Sequence, residues 1–256
     1  MWQMSFNPSK CSILQVSTKR DPPSKPIIFC GQKLDQVKSH PYLGAELESS
    51  MKWKEHIRKV TTKASRVLGF LQRNIWFCSK KVKIAAYKTL VRPVLEYASC
   101  VWDPHVKKNI NSLERIQRRA ARFCVHNFKR DASVTSMLEH LEWSTLEDRR
   151  KNSRLTMLYK ILNGLVGIDK TNYLEAAEQT ISTRGKHKHS LRNDFIKRMF
   201  TALLLPRTLR EWNELPKEVA GAPQSTPSNS SFKHYQSIPK QHVRYQTISA
   251  QHMHST

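Results

Sequence analysis

Residues 108–127 read KNINSLERIQRRAARFCVHN, and two stripes run through them at helical spacing. Leu113, Ile116, Ala120, Phe123 and Cys124 form one; Arg115, Arg118, Arg119 and Arg122 form the other. At 100° per residue the arginine stripe centres about 140° from the apolar stripe. The pattern predicts a helix that buries one face in a bundle and points four guanidinium groups outward together. Like charges at these intervals repel one another and weaken an isolated helix, so the stripe favours an anionic partner.

On the N-terminal side the same period begins at Lys52. Trp53, Ile57, Val60, Ala64, Val67, Leu68, Leu71 and Ile75 recur at steps of three and four, a helix of about six turns. Its polar side carries Lys54, His56, Lys59, Lys63 and Arg66, read as a second basic face. Ser79 is placed to cap a further helix, KKVKIAAYKTLV, that starts with Lys80, Lys81 and Lys83 and bends near Pro93. VLEYASCVW continues it to Asp103-Pro104. On the C-terminal side SVTSMLEHL is a short helix. Ser144-Thr145-Leu146-Glu147 then reads as a capping box, with Glu147 at N3 of a helix running to about Asn163 and Gly164 just past its end. Residues 165–190 read as basic loop, LRNDFIKRMF as a docking segment, and LLLPRTLREWNELPKEV as a short helix between Pro206 and Pro216. Beyond Gly221 the composition predicts disorder.

Before the helices, residues 11–48 read as β structure: a strand CSILQVST, a break at DPPSKP, and a hairpin in IIFCGQKLDQV turning at Gly31-Gln32. His40-Pro41 ends that hairpin, and YLGAELE is one more strand in which Gly44 lets another backbone approach. The fold class is therefore mainly α: a small antiparallel β segment, a helical bundle and a disordered C-terminal tail.

The 256 residues hold 44 Lys and Arg against 20 Asp and Glu, a net charge of +24. A polyanion partner offsets such self-repulsion, and nucleic acid is the first candidate. No apolar run of about 18 residues could span a membrane, and nothing at the start reads as a signal peptide. Five widely spaced cysteines without a CxxC pair read as reduced thiols in an intracellular protein. No pair of acids is set for a metal; Glu46 and Glu48 read as a solvated strand edge, and Glu147-Asp148 as helix capping. Neither a GxSxG nucleophile nor a glycine-rich phosphate loop is present. The expectation is a chain without catalytic residues, metal or small-molecule ligand, whose basic helices track a nucleic-acid backbone.

Several motifs together resemble a known family. WQMSFNPSKC with its following strand resembles the late palm of reverse transcriptases from non-LTR retrotransposons, the LINE elements of jockey and chicken-repeat type. HPYLGAELESSMKWKEHI, RVLGFLQRNIW, YKTLVRPVLEYASCVWDP, LERIQRRAARFC and LLLPRTLREWNELP resemble the segments that follow, in the family's order, from about Trp2 to Val219. The resemblance implies a late-palm β remnant at 1–50, a helical thumb at 51–164, a basic helical extension at 165–220 and a tail at 221–256. It also implies that Tyr42, Leu43 and Gly44 form the primer grip. The partners implied are RNA and DNA: a template-primer duplex and the retroelement's own RNA, met in nucleus and cytoplasm. The magnesium-binding aspartates of the family lie upstream of the WQM motif, so the chain reads as a C-terminal fragment inactive by itself. Two alternatives stay open: a stand-alone basic module that binds nucleic acid or protein in a host role, and a retroelement relic.

Overall fold

The computed structural model describes residues 7–16, 26–172, 174–176, 189–191 and 204–215. Most of DPPSKP, all but the first residue of LRNDFIKRMF, and the tail beyond Gly221 lie outside the described residues. The architecture is mainly helical, with a small β segment of two-stranded pairs. β1 (Ser12–Leu14) pairs with β4 (Asp35–Val37) in parallel, Ser12 opposite Asp35. Between them β2 (Ile28–Phe29) and β3 (Gln32–Lys33) form a tight antiparallel hairpin. Its turn is Cys30-Gly31 rather than Gly31-Gln32, with φ of 48° and 75°. Positive φ at both central residues matches the twist of a two-residue hairpin, and it leaves Gln32 in the strand. β5 (Ser39–Tyr42) and β6 (Ala45–Glu48) form a second hairpin. His40-Pro41 lies inside β5 instead of ending a strand, because an edge strand tolerates a proline whose missing N–H would face away from its partner.

Helices dominate the described residues from Lys54 onward. α1 (Lys54–Asn74) is the long amphipathic helix, and Ile57, Ala64, Leu68 and Leu71 are its buried side. α2 (Lys80–Ala86) starts where Ser79 accepts a hydrogen bond from the Val82 amide. The helix expected to run from there to Trp102 is instead three helical pieces joined by a π turn at Tyr87–Val91. The Arg92 amide bonds to the Tyr87 carbonyl in the i→i+5 pattern that widens a helix, just ahead of the Pro93 ring. α3 (Arg92–Glu96) follows, Ala98 breaks the chain at φ 52°, and α4 (Ser99–Trp102) leads to Asp103. α5 (Lys107–Val125) buries Leu113, Ile116, Ala120, Phe123 and Cys124, packing chiefly on α1 and α6 (Val134–His140). α7 (Leu146–Leu162) is capped one residue later than expected: Thr145, not Ser144, accepts from the Asp148 amide at 3.0 Å. Gly164, at φ 66°, stands just past its end.

Two apolar clusters form among the described residues. The larger joins α1, α3, α5 and the π turn around Leu68, Val91, Leu95, Leu113 and Phe123. Within it Gln117 is buried; it accepts from the Tyr87 hydroxyl at 2.9 Å and donates to the Ser144 carbonyl at 2.8 Å. The smaller sets Leu155 and Leu158 of α7 against Leu209 and Trp212 of α8 (Leu204–Asn213) and against Leu174 of β7 (Leu174–Ala176), which pairs with β8 (His189–Leu191).

Asp103 ties the two clusters together. Its buried carboxylate faces Arg150 Nε at 2.7 Å and Arg154 Nε at 2.9 Å on α7, and Arg207 Nη1 at 3.3 Å on α8. Arg154 also reaches Glu211 at 2.9 Å. Removing one partner of a buried pair strands the other's charge, at a cost of about 3–5 kcal/mol. Asp103→Asn is therefore expected to lower unfolding stability by about that much in urea titrations, whereas the exposed substitution Asp35→Asn should stay within about 0.5 kcal/mol.

Candidate nucleic-acid interface

α5 turns one uninterrupted cationic face to solvent. Arg115, Arg118 and Arg119 are exposed. Lys108, which precedes Arg115 by seven residues and lies about 20° from it by helical pitch, is exposed beside them; residue spacing in the arginine stripe alone does not reveal it. No acid interrupts this face. The helix has one carboxylate, Glu114, and it points inward to accept from the Glu147 amide at 2.8 Å. Burial pushes the Glu114 carboxyl above its usual range, and the Glu147 amide partly offsets that.

The four arginines of the stripe are not equivalent. Arg119 Nη1 donates to Ser65 Oγ of α1 at 2.9 Å, which carries the cationic face from one helix onto the next. Arg122 is half-buried and bonds locally. Its Nη1 donates to the Lys129 carbonyl at 2.8 Å, and its Nη2 lies 3.4 Å from that of Ala132. It clamps the loop that follows α5.

On α1, Lys54, Lys63 and Arg66 are exposed, and Lys63 and Arg66 line a shallow depression of about 410 Å³ with Arg58 and Lys59. The single acid of α1, Glu55, is paired with Arg58 at 2.9 Å. His56 corrects the sequence reading. It is 3% exposed, its Nδ1 accepts from the Glu46 amide at 3.1 Å, and its ring meets Trp102 edge-on at 4.9 Å. Burial holds its imidazole below the usual pKa, against the pull of Glu46. Such a histidine is a packing residue, not a phosphate contact. Lys83 is likewise buried, its ammonium over the Phe123 ring at 5.0 Å and the Trp76 ring at 5.7 Å.

The solvated edge expected of Glu46 and Glu48 is not found. Glu46 is buried and paired with Lys59 at 2.8 Å, a bond that holds its carboxyl below the usual range despite burial. Glu48 accepts from the Glu55 amide in the first turn of α1. Trp53, at the N-cap, offers no side-chain bond, so the acid from β6 satisfies one of the donors a helix start leaves open. These contacts fix the β5–β6 hairpin to the start of α1.

The hairpin tip is Tyr42-Leu43-Gly44, where YLGAELE turns instead of running as one strand. Leu43 and Gly44 have φ of 47° and 82°, and Leu43 is 76% exposed. What approaches Gly44 is a side chain rather than a backbone: a Cβ there would lie 3.1 Å from the Tyr97 ring. The Tyr97 hydroxyl donates to the Leu43 carbonyl at 2.9 Å, so α3's end braces the tip.

A cleft of about 860 Å³ lies between the π turn and α7. Its arginines, Arg92 and Arg149, both face Glu96, so the guanidinium charge there is partly met within the cleft. Among the described residues, no cluster of three or more His, Cys, Asp and Glu could hold a metal ion, and no helix is long and apolar enough to cross a membrane.

The chain is 30% identical over 131 residues, 47% of its length, to a "Probable RNA-directed DNA polymerase from transposon BS" of Drosophila melanogaster. It spans only 14% of that relative. No family model matches the chain, and no solved structure matches it significantly. The similarity is to a transposon polymerase and is confined to part of each chain.

His56 gives this region a pH signature. Its folded pKa lies below the ordinary value of 6.5, so the unfolded chain takes up a proton that the folded chain refuses. Stability should fall as pH drops below about 6.5. In His56→Gln that component should vanish, and urea midpoints at pH 7.5, 6.5 and 5.5 should lie closer together than in the parent.

Proposed function

We propose that the chain is the nucleic-acid-holding part of a retroelement reverse transcriptase of the non-LTR type. In this reading the α1–α7 bundle is the thumb, the Tyr42-Leu43-Gly44 tip is the primer grip, and the ligand is a template-primer duplex formed on the element's RNA. The work of the chain is positioning. Magnesium-dependent phosphoryl transfer belongs to acids supplied outside it.

One observation carries the reading: α1 and α5 share a cationic face, bridged by Arg119 and Ser65, where Glu55 is paired with Arg58 and Glu46 with Lys59, while Lys54, Lys63, Arg66, Arg115 and Arg118 stand exposed. Unpaired surface cations at helical pitch suit a row of phosphates, whose bound counterions they release. Arginine forks match phosphate oxygens two at a time. Contacts of this kind fix register on the duplex without reading bases, as a part that must hold any template requires. Kinship with a transposon polymerase adds support from a separate direction.

About six phosphate contacts would cost roughly a thousandfold in affinity for an RNA–DNA hybrid between 50 and 200 mM salt. Replacing Arg115, Arg118 and Arg119 with Gln is expected to weaken binding at low salt and to reduce the log–log salt slope by about 2–3. Arg122 is left intact in this variant because it holds a loop. Fluorescence anisotropy at four salt concentrations measures both. A triple variant that binds like the parent would contradict the assignment.

A further inference from the structure

Where the C-terminal ends of α1 and α5 meet, aromatic rings gather in a setting the duplex-binding face does not use. Trp76 is at the centre. Phe128 stacks on it at 5.5 Å between centroids and 23° between planes, and His126 meets it edge-on at 4.9 Å. The buried Lys83 ammonium lies over Trp76, and Arg122 holds the loop that carries Phe128. The platform is thus fixed from both sides.

Two rings are offered to solvent. Phe128 is stacked on one side and still 49% exposed, and Phe77 is 98% exposed. Packing on Trp76 accounts for one face of Phe128, but no core or turn role explains Phe77. Phe77 covers nothing, and any polar residue would serve its turn as well. The surrounding charge says what would cover it. Residues 70–83 and 122–130 contain no acid, and Arg73, Lys80, Lys81, Lys129 and Arg130 are all exposed. Asp131 and Glu139 are the nearest acids along the flanking chain.

We propose that Phe77 and Phe128 form a stacking platform for unpaired bases, with the flanking lysines and arginines on the sugar-phosphate backbone of the same single strand. Every base has a π face, so such stacking is indifferent to sequence, and cations beside the rings track the backbone. A purely apolar partner would leave those cations unmatched. Resting on the reading of the chain as a nucleic-acid holder, the inference adds a second ligand geometry: the single strand that extends from a duplex.

The test compares three ligands by fluorescence anisotropy: a blunt RNA–DNA hybrid, the same hybrid with a ten-nucleotide single-stranded extension, and a free oligothymidylate. Phe77→Ala is expected to weaken oligothymidylate binding about fivefold or more and to reduce the advantage of the extended hybrid, with the blunt hybrid unchanged within about twofold. Phe77→Trp should retain binding, whereas Phe77→Leu, which keeps apolar surface and loses the ring, should resemble Phe77→Ala. Because Phe77 packs on nothing, these variants should melt like the parent; Phe128→Ala is the second probe. The arginine triple variant separates the two claims. If it leaves the blunt hybrid unaffected while Phe77→Ala still weakens the single strand, the duplex face fails and the platform stands. If Phe77→Ala and Phe128→Ala both bind the single strand like the parent, the platform is overturned. A Phe77→Leu that binds as tightly as the parent, or a Phe77→Ala whose only effect is to abolish self-association in sedimentation, overturns it too.

Discussion

The packing of α1 against α5 governs what the rest of the surface can be. Ile57, Ala64 and Leu68 on one helix and Leu113, Ile116 and Ala120 on the other leave no room for charge at their interface. Small residues at Ala64 and Ala120 suit a close approach of the two backbones. Each helix must therefore carry most of its many cations on the remaining arc, and the two arcs join at Arg119 and Ser65. The positive face follows from where the core lies. It is tolerable because helix–helix packing, rather than intrinsic helix propensity, holds each helix against its own repulsion.

Two polar devices orient the neighbouring parts around that pair. Asp103 gathers three arginines and thereby fixes α7 and α8 to the junction before α5. Glu46, Glu48 and Tyr97 act in the same way on the β5–β6 hairpin, linking it to the start of α1 and the end of α3. The hairpin tip thus has a set position relative to the cationic face. In the proposed reading, a grip and a clamp act on one duplex and need that relation, since a tip free to swing would spread the contacts over many registers.

Much of this was legible in residue spacing, because amphipathic helices repeat their pattern every few positions. α1 and α5 show it plainly, and so do Ser79 and Gly164 as punctuation. What sequence hid has a common physical origin: partners far apart in the chain. Arg150 lies 47 positions from Asp103, and Arg207 lies 104 positions away, so Asp103 reads locally as no more than the residue before a proline. Lys83 counts as a surface cation until Phe123 and Trp76 close over it. His56 stands four residues before Val60 and seven before Lys63, so by helical pitch it falls on the border between the apolar stripe and the lysines, and spacing alone could not assign it. The π turn is legible only as a bend at Pro93, since a one-residue widening leaves no mark on composition.

The most direct measurement is photocrosslinking of a bound RNA–DNA hybrid, with the attached peptides mapped by mass spectrometry. Crosslinks are expected on exposed residues of Lys54–Asn74 and Lys107–Val125, around Arg66 and Arg115–Arg119, together with the tip at Tyr42–Gly44. Crosslinks confined to the residues after Leu215, with both helices unmarked, would contradict the account.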